Sequence, residues 1–261
     1  MREPEHQAVL FQDDFSGFAI GPLPFDREHS ATGEYHYVVN PGYQGSWYDP
    51  ITNCWFRGPN WVVTSQDGMH VMEQMRVRNP LTHGVCSVLA AGDKDWTDYT
   101  AEVDLRALCT TDQVGLLFRY QASLQHYALF LSNQEAQLVK VVKTERTVLA
   151  KAPVAYSCDA FIHLSVTVRG SQITCCTGEE TLFTVEDDTY LTGCIALAGY
   201  MPAQFARVKV TCSEKAAASP ASRRIRPCVL PGSGPATPSR NCGRALTWAT
   251  GEPPVRSASV T

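Results

Sequence analysis

The sequence predicts an all-β protein, a two-sheet antiparallel sandwich, on three observations. Short runs rich in β-branched and aromatic residues recur from about residue 9 to residue 213. Turn residues separate these runs, and no segment keeps a helical period over three turns. Roughly eleven short strands at this spacing need two packed sheets to bury their apolar faces.

In chain order the strands are expected at 62–64, 69–77, 99–108, 114–121, 127–132, 137–142, 161–169, 172–176, 182–185, 194–197 and 205–212. Gln66-Asp67-Gly68, Asn133-Gln134, Arg169-Gly170-Ser171 and Thr192-Gly193 supply turns between them, because Gly and Asn tolerate the left-handed backbone that tight turns use. Ahead of the first of these strands, residues 17–60 form an excursion rich in Gly, Pro and aromatic rings, including Trp47, Tyr48 and Trp55. Such a stretch reads as a long loop packed by its own rings, serving either as a binding element or as a lid on the core.

After residue 213 the character changes. Residues 215–261 carry seven Lys or Arg against Glu252 alone, a net +6, and are rich in Ala, Ser and Pro without apolar periodicity. That composition predicts a disordered basic tail, 214–261, beyond a sandwich domain of 8–213, and its abrupt start raises the question of non-native coding sequence. With −4 over all 261 residues, the rest of the chain holds −10. An acidic body counts against nucleic acid as partner.

No run of about eighteen apolar residues exists, which excludes a membrane-spanning helix and gives no reason to expect a membrane partner. The start, Met1-Arg2-Glu3-Pro4-Glu5-His6, lacks the apolar stretch of a secretory signal, so a cytoplasmic location is expected; an incomplete N-terminus would leave an extracellular one open. The ten cysteines include no C-x-x-C. They are expected mainly as buried free thiols, with one or two disulfides or a metal site as the alternatives. Cys175 and Cys176, neighbours on one strand, face opposite ways.

Alternation assigns faces. Ala101, Val103 and Leu105 point one way and Glu102, Asp104 and Arg106 the other; likewise Ser165, Thr167 and Arg169 oppose Leu164, Val166 and Val168. Gly115, Leu117, Arg119 and Gln121 alternate with Val114, Leu116, Phe118 and Tyr120. Were these strands to share a sheet, its outer face would present Glu102, Asp104, Arg106, Arg119, Gln121, Thr167 and Arg169. Mixed acids, arginines and amides suit a polyhydroxylated ligand, whose hydroxyls both donate and accept, and Trp47, Tyr48 and Trp55 could add ring contact. The competing reading is a solvated face with cross-strand ion pairs.

Glu102 and Asp104, two apart on one strand face, have α-carbons roughly 6.6–6.8 Å apart, near the carboxyl spacing of about 5–5.5 Å that a retaining glycosidase uses. Arg106 beside them favours an ordinary ion pair instead. No G-x-S-x-G, phosphate-cradling loop or H-E-x-x-H occurs, and His70, His83, His126 and His163 are scattered singly.

Five segments carry a family resemblance: 11–17 (FQDDFSG), 92–104 (GDKDWTDYTAEVD), 114–121 (VGLLFRYQ), 190–197 (YLTGCIAL) and 205–210 (FARVKV). Together they resemble the concanavalin A-like lectin/glucanase superfamily, nearest its laminin-G-like and 3-keto-disaccharide hydrolase jelly-roll modules, over about residues 9–213. The resemblance implies a jelly-roll sandwich and is poorly specific for activity. The superfamily's glucanases carry Glu-x-Asp-x-Glu or Glu-x-Asp-x-x-Glu; here Glu102 and Asp104 match, while Arg106 or Ala107 stands where the acid/base belongs. Calcium in such modules is held by an opening Asp-Asp-Phe and a closing Phe-Asp-Asp-Val. Asp13 and Asp14 match the first, making Asp14 a candidate ligand, but the second reads Phe205-Ala206-Arg207-Val208, without acids.

The sequence thus points first to a lectin-like module binding a carbohydrate or glycoside through Arg106, Arg119, Gln121, Trp47, Tyr48 and Trp55. A glycoside hydrolase acting through Glu102 and Asp104 is the alternative, and a non-catalytic protein-interaction module a further one. No cofactor is expected beyond the possible calcium, and the oligomeric state is not written in the sequence.

Overall fold

The computed structural model describes residues 7–23, 47–50, 60–76 and 86–213. Among them there is no helix, so no helix there is long and apolar enough to cross a membrane. The strands are β1 (Gln7–Asp13), β2 (Gly21–Pro22), β3 (Trp61–Gln66), β4 (Met69–Gln74), β5 (Ser87–Ala91), β6 (Tyr99–Ala107), β7 (Val114–Ala122), β8 (Gln125–Ser132), β9 (Glu135–Val142), β10 (Glu145–Pro153), β11 (Ile162–Arg169), β12 (Gln172–Thr177), β13 (Glu180–Glu186), β14 (Cys194–Gly199) and β15 (Ala203–Ser213). The tail from 214, Trp55 and most of the 17–60 excursion lie outside the described residues.

The strands form two antiparallel sheets facing each other, the sandwich that the sequence predicts. One has nine strands, in the order β13-β12-β11-β6-β15-β4-β3-β2, with β1 also pairing β15; the other has six, β10-β9-β8-β7-β14-β5. Between them lies one continuous core that includes Trp61, Met72, Leu105, Leu116, Leu129, Leu138, Val166, Leu197 and Phe205. Where the two sheets differ is outside. The six-stranded sheet buries its outer face too, in a second cluster of Val88, Ala90, Leu117, Ala128, Phe130, Val139, Ala196 and Ala198. Its central strands therefore read as nearly unbroken apolar runs, as in Val114–Ala122 and Cys194–Gly199. In the nine-stranded sheet, β11 alternates buried and half-buried residues, the pattern of a strand with one face in the core.

One sequence expectation needs correction here. β6 and β11 do share a sheet, with Glu102 opposite Ser165 and Asp104 opposite His163. β7 belongs to the other sheet, between β8 and β14, so Arg119 and Gln121 are not on the face that carries Glu102 and Asp104. Alternation reports which way a side chain points within a strand and carries no information on which sheet the strand joins.

Gly115 and Gly193 show what the close packing demands. A Cβ at Gly115 would lie 2.0 Å from the Leu129 carbonyl oxygen on β8. At Gly193, φ is +144° and a Cβ would lie 2.2 Å from the Arg119 backbone, so neither position accepts a side chain.

Candidate functional site

The outer face of the nine-stranded sheet is built from rungs that run across β15, β6, β11, β12 and β13. One rung is nearly all threonine: Thr211, Thr100, Thr167, Thr174 and Thr184 are register partners in turn, with hydroxyls of Thr100 and Thr167 2.9 Å apart and those of Thr174 and Thr184 3.1 Å apart. The next rung sets Lys209, Glu102, Ser165 and Cys176 side by side. The third joins Ala206, Asp104 and His163.

Around these last two rungs the side chains of Glu102, Asp104, His163 and Arg207 meet. His163 Nδ1 lies 2.8 Å from Asp104 Oδ1, and His163 Nε2 lies 3.8 Å from Glu102 Oε1. With the ring proton on Nδ1, His163 donates to Asp104 and turns its other nitrogen toward Glu102. The second oxygen of Asp104 accepts from Arg207 Nε. Arg207 reaches it because β15 bulges between Ala206 and Lys209, three steps against two on β6, and Arg207 takes a left-handed backbone at φ 47°. The side chain of Asp104 is only 8% exposed, whereas those of His163 and Arg207 are 40% and 63% exposed. A nearly buried carboxylate thus anchors two open donor groups.

The rung above extends the network. Arg106 donates to Gln66 Oε1 at 3.2 Å and lies over the Phe161 ring, 5.5 Å from its centroid. Gln204, its register partner, donates to Glu73 Oε2 at 2.8 Å, and Glu73 accepts from Thr64 at 3.2 Å. The expected Arg106–Asp104 ion pair does not form, since Arg207 and His163 take the Asp104 oxygens. The sequence reading named His163 only as an isolated histidine; its partner stands 59 residues away and becomes visible once β6 and β11 are aligned.

The other expected site residues are placed elsewhere. Arg119 is fully buried. It lies within a bulge of β7, with φ 44°, and its guanidinium donates to the carbonyls of Gly170 at 2.6 Å, Tyr190 at 2.9 Å and Thr97 at 3.4 Å, while Asp98 lies 3.8 Å off. The Arg119 amide donates to Tyr99 Oη at 2.7 Å, a phenol that burial pushes well above its ordinary range. Arg119 therefore ties loops together and offers a ligand no open donor face. Gln121 likewise donates to Thr192 O at 2.9 Å and Lys94 O at 3.2 Å.

Trp47 and Tyr48, expected to add ring contact to a ligand, are buried. Trp47 packs edge-on to Phe11 at 5.4 Å and against Phe15 at 5.6 Å, and its Nε1 donates to Asp13 Oδ2 at 2.9 Å. Tyr48 exchanges two backbone hydrogen bonds with Ala90, both 2.9 Å, and joins the outer cluster of the six-stranded sheet. Trp55 lies outside the described residues. The half-buried aromatic ring on the polar face is Phe161.

The opening acids serve a turn. Asp13 accepts from the Phe15 amide at 2.7 Å as well as from Trp47, and burial raises its carboxyl above the usual range despite these bonds. Asp14 Oδ1 accepts from the Ser16 amide at 3.0 Å and the Ser16 hydroxyl at 2.6 Å. Arg207, at the closing motif, is turned to Asp104. Among the described residues no group of three or more His, Cys, Asp or Glu is placed to hold a metal ion. Calcium takes six to eight oxygens; of the two opening acids, Asp13 already accepts on both of its own, from the Phe15 amide and from Trp47.

No protein-family model and no curated protein matches the chain. Solved structures do. A carbohydrate-binding module, CBM66 from Bacillus subtilis, superposes with a TM-score of 0.53 at 14% identity, over 65% of this chain and 97% of that one. A xylan β-1,4-xylosidase from Bacillus halodurans superposes with a TM-score of 0.50 at 13% identity, over 81% of this chain but 40% of the enzyme. At such identities the likeness is one of fold alone.

Proposed function

We propose that the chain is a lectin-like carbohydrate-binding module and that its ligand lies on the outer face of the nine-stranded sheet. The observation that carries this reading is the Glu102–His163–Asp104–Arg207 constellation on an open, hydroxyl-lined surface. A sugar's vicinal hydroxyls each donate and accept, so they need carboxylate acceptors and cationic or imidazole donors held a few ångströms apart. Asp104 fixes Arg207 and His163 in place, Glu102 and Lys209 flank them, and Phe161 supplies a half-buried ring within reach of an apolar sugar face. The superposed B. subtilis module, named for carbohydrate binding, supports the same reading. The finer kinship with laminin-G-like modules is part of the proposal.

A glycoside hydrolase using Glu102 and Asp104 is the second reading. The two carboxylates do share one face, and the xylosidase likeness favours it. Against it, both Asp104 oxygens already accept hydrogen bonds, and Arg106 or Ala107 stands where the superfamily's acid/base belongs. A protein-interaction module is the third.

A polysaccharide array probed with the wild-type chain and with Asp104→Asn and His163→Ala separates the three. Retention of a glycan by the wild type and its loss in both variants is the expected result. No retained glycan sinks the binding reading, and release of reducing sugar that stops in Glu102→Gln would replace it with hydrolysis.

A further inference from the structure

We propose that the site lets go of its glycan in acid: a proton taken up on His163 Nε2 draws Glu102 onto the ring and removes the acceptors that hold the sugar. The inference rests on the carbohydrate-binding reading above and adds its regulation. It starts from a ring set between two carboxylates, with Nδ1 2.8 Å from Asp104 Oδ1 and Nε2 3.8 Å from Glu102 Oε1. A neutral imidazole has one donor and one acceptor nitrogen. The donor belongs on Nδ1, because the Asp104 carboxylate, already bound by Arg207, would otherwise face a lone pair at hydrogen-bond distance. Nε2 then turns a lone pair toward Glu102, a second acceptor, and no hydrogen bond spans the 3.8 Å between them.

In that state the surface offers a sugar both kinds of partner. Glu102 and His163 Nε2 accept, while Arg207 and Lys209, the register neighbour of Glu102 on β15, donate. One proton removes both acceptors. The imidazolium donates from its two nitrogens, through Nδ1 to Asp104 and through Nε2 to Glu102, and a carboxylate takes this charge-assisted bond ahead of a neutral hydroxyl. Rotation of the half-exposed Glu102 side chain is enough, since 3.8 Å lies only about 1 Å beyond an ordinary bond. Sugar hydroxyls are left facing Arg207 and Lys209, which only donate. The step is one proton from solvent onto Nε2, with no other covalent bond made or broken.

Among the described residues, the charged and titratable groups around the ring come from three strands and a turn. β6 contributes Glu102 and Asp104, and β15 contributes Arg207 and Lys209. On the other side, the Gly178 amide donates to the His163 carbonyl at 2.9 Å. Gly178 brings no side chain, the turn it opens carries the exposed Glu179 and Glu180, and β12 places Cys176 one rung away, opposite Ser165. Glu102 and Asp104 are thus the carboxylates on which an imidazolium here closes.

The test uses the full chain with isotope-labelled histidine, free and with a glycan retained on an array at pH 8. Histidine is the side chain that ordinarily changes charge between pH 5 and 8, which sets the two ends of the experiment. Ring-nitrogen spectra of the free chain should show Nδ1 alone protonated at pH 8. At pH 5 both nitrogens should carry protons, the one on Nε2 protected from exchange and losing that protection in Glu102→Ala. Calorimetric titration should give an affinity weaker by about tenfold or more at pH 5 than at pH 8, with net proton release on binding between them. His163→Asn, whose amide donates from the place of Nδ1 and does not titrate, should bind more weakly at pH 8 and lose the pH dependence. Tighter binding at pH 5, wild-type pH dependence in His163→Asn, or an Nε2 proton indifferent to Glu102→Ala would overturn the proposal. A chain that retains no glycan at pH 8 fails the binding reading itself, whereas glycan held equally at both pH values fails the acid release alone.

Discussion

Two histidines stand on opposite outer faces of one sandwich. His126, on β8, is buried beside Tyr120, ring centroids 5.8 Å apart, in the apolar outer layer of the six-stranded sheet. Burial holds its imidazole down at about 4. His163, on β11, is 40% exposed between Glu102 and Asp104 on the nine-stranded sheet. The same side chain is thus a neutral packing element on one face and a polar contact group on the other. The difference follows from what each sheet does with its second face. One sheet is apolar on both sides and serves stability; the other reserves a polar surface on which charged groups are fixed and open.

The contrast can be broken most strongly by removing packing. Phe130→Ala, in the outer cluster of the six-stranded sheet, should cost about 3–5 kcal/mol in chemical denaturation. Thr174→Ala, on the threonine rung of the other sheet, should change stability by no more than about 0.5 kcal/mol. Similar losses at the two sites would mean that the faces do not divide the work in this way.

Acid sharpens the comparison next. The unfolded His126 binds its proton near pH 6.5 and the folded one only near pH 4. Between these values the unfolded state holds more protons, so stability falls as pH falls, by about 3 kcal/mol across the window. His126→Phe should remove that loss, read as the difference between wild type and variant in denaturant midpoints at pH 7 and pH 4. An unchanged difference would place the acid sensitivity elsewhere.

Asp187 gives a further acid-sensitive contact. Burial opposes its ionisation, but hydrogen bonds from Lys140, Tyr127 and Thr189 outweigh this and hold the carboxyl well below the usual range. The stability it contributes is complete above about pH 4 and is lost at lower pH. Asp187→Asn should flatten the stability curve below pH 4 and leave the His126 window as it is.

The sequence carried the fold well because it rests on local patterns. Alternation in β6 and β11 and the unbroken apolar runs of β7 and β14 distinguish strands with one buried face from strands with two. Pairing is not local, so assigning Arg119 to the polar face failed when β7 joined the other sheet. β10, with its charged and largely exposed Glu145–Pro153, lacked the apolar periodicity that marks a strand, since an edge strand needs little of it. Within the site, Glu102 and Asp104 were legible as two carboxylates on one face. Arg207 was not, because a bulge and a left-handed residue 103 positions from Asp104 aim it there.

The most direct test of the account is calorimetric titration of an array-selected glycan into the wild type, Asp104→Asn and Phe161→Ala, each checked for unchanged melting. A weakening of about tenfold or more for Asp104→Asn, with a smaller loss for Phe161→Ala, is the result expected if the polar face holds the sugar. Wild-type affinity in Asp104→Asn would contradict it and move the ligand off this face.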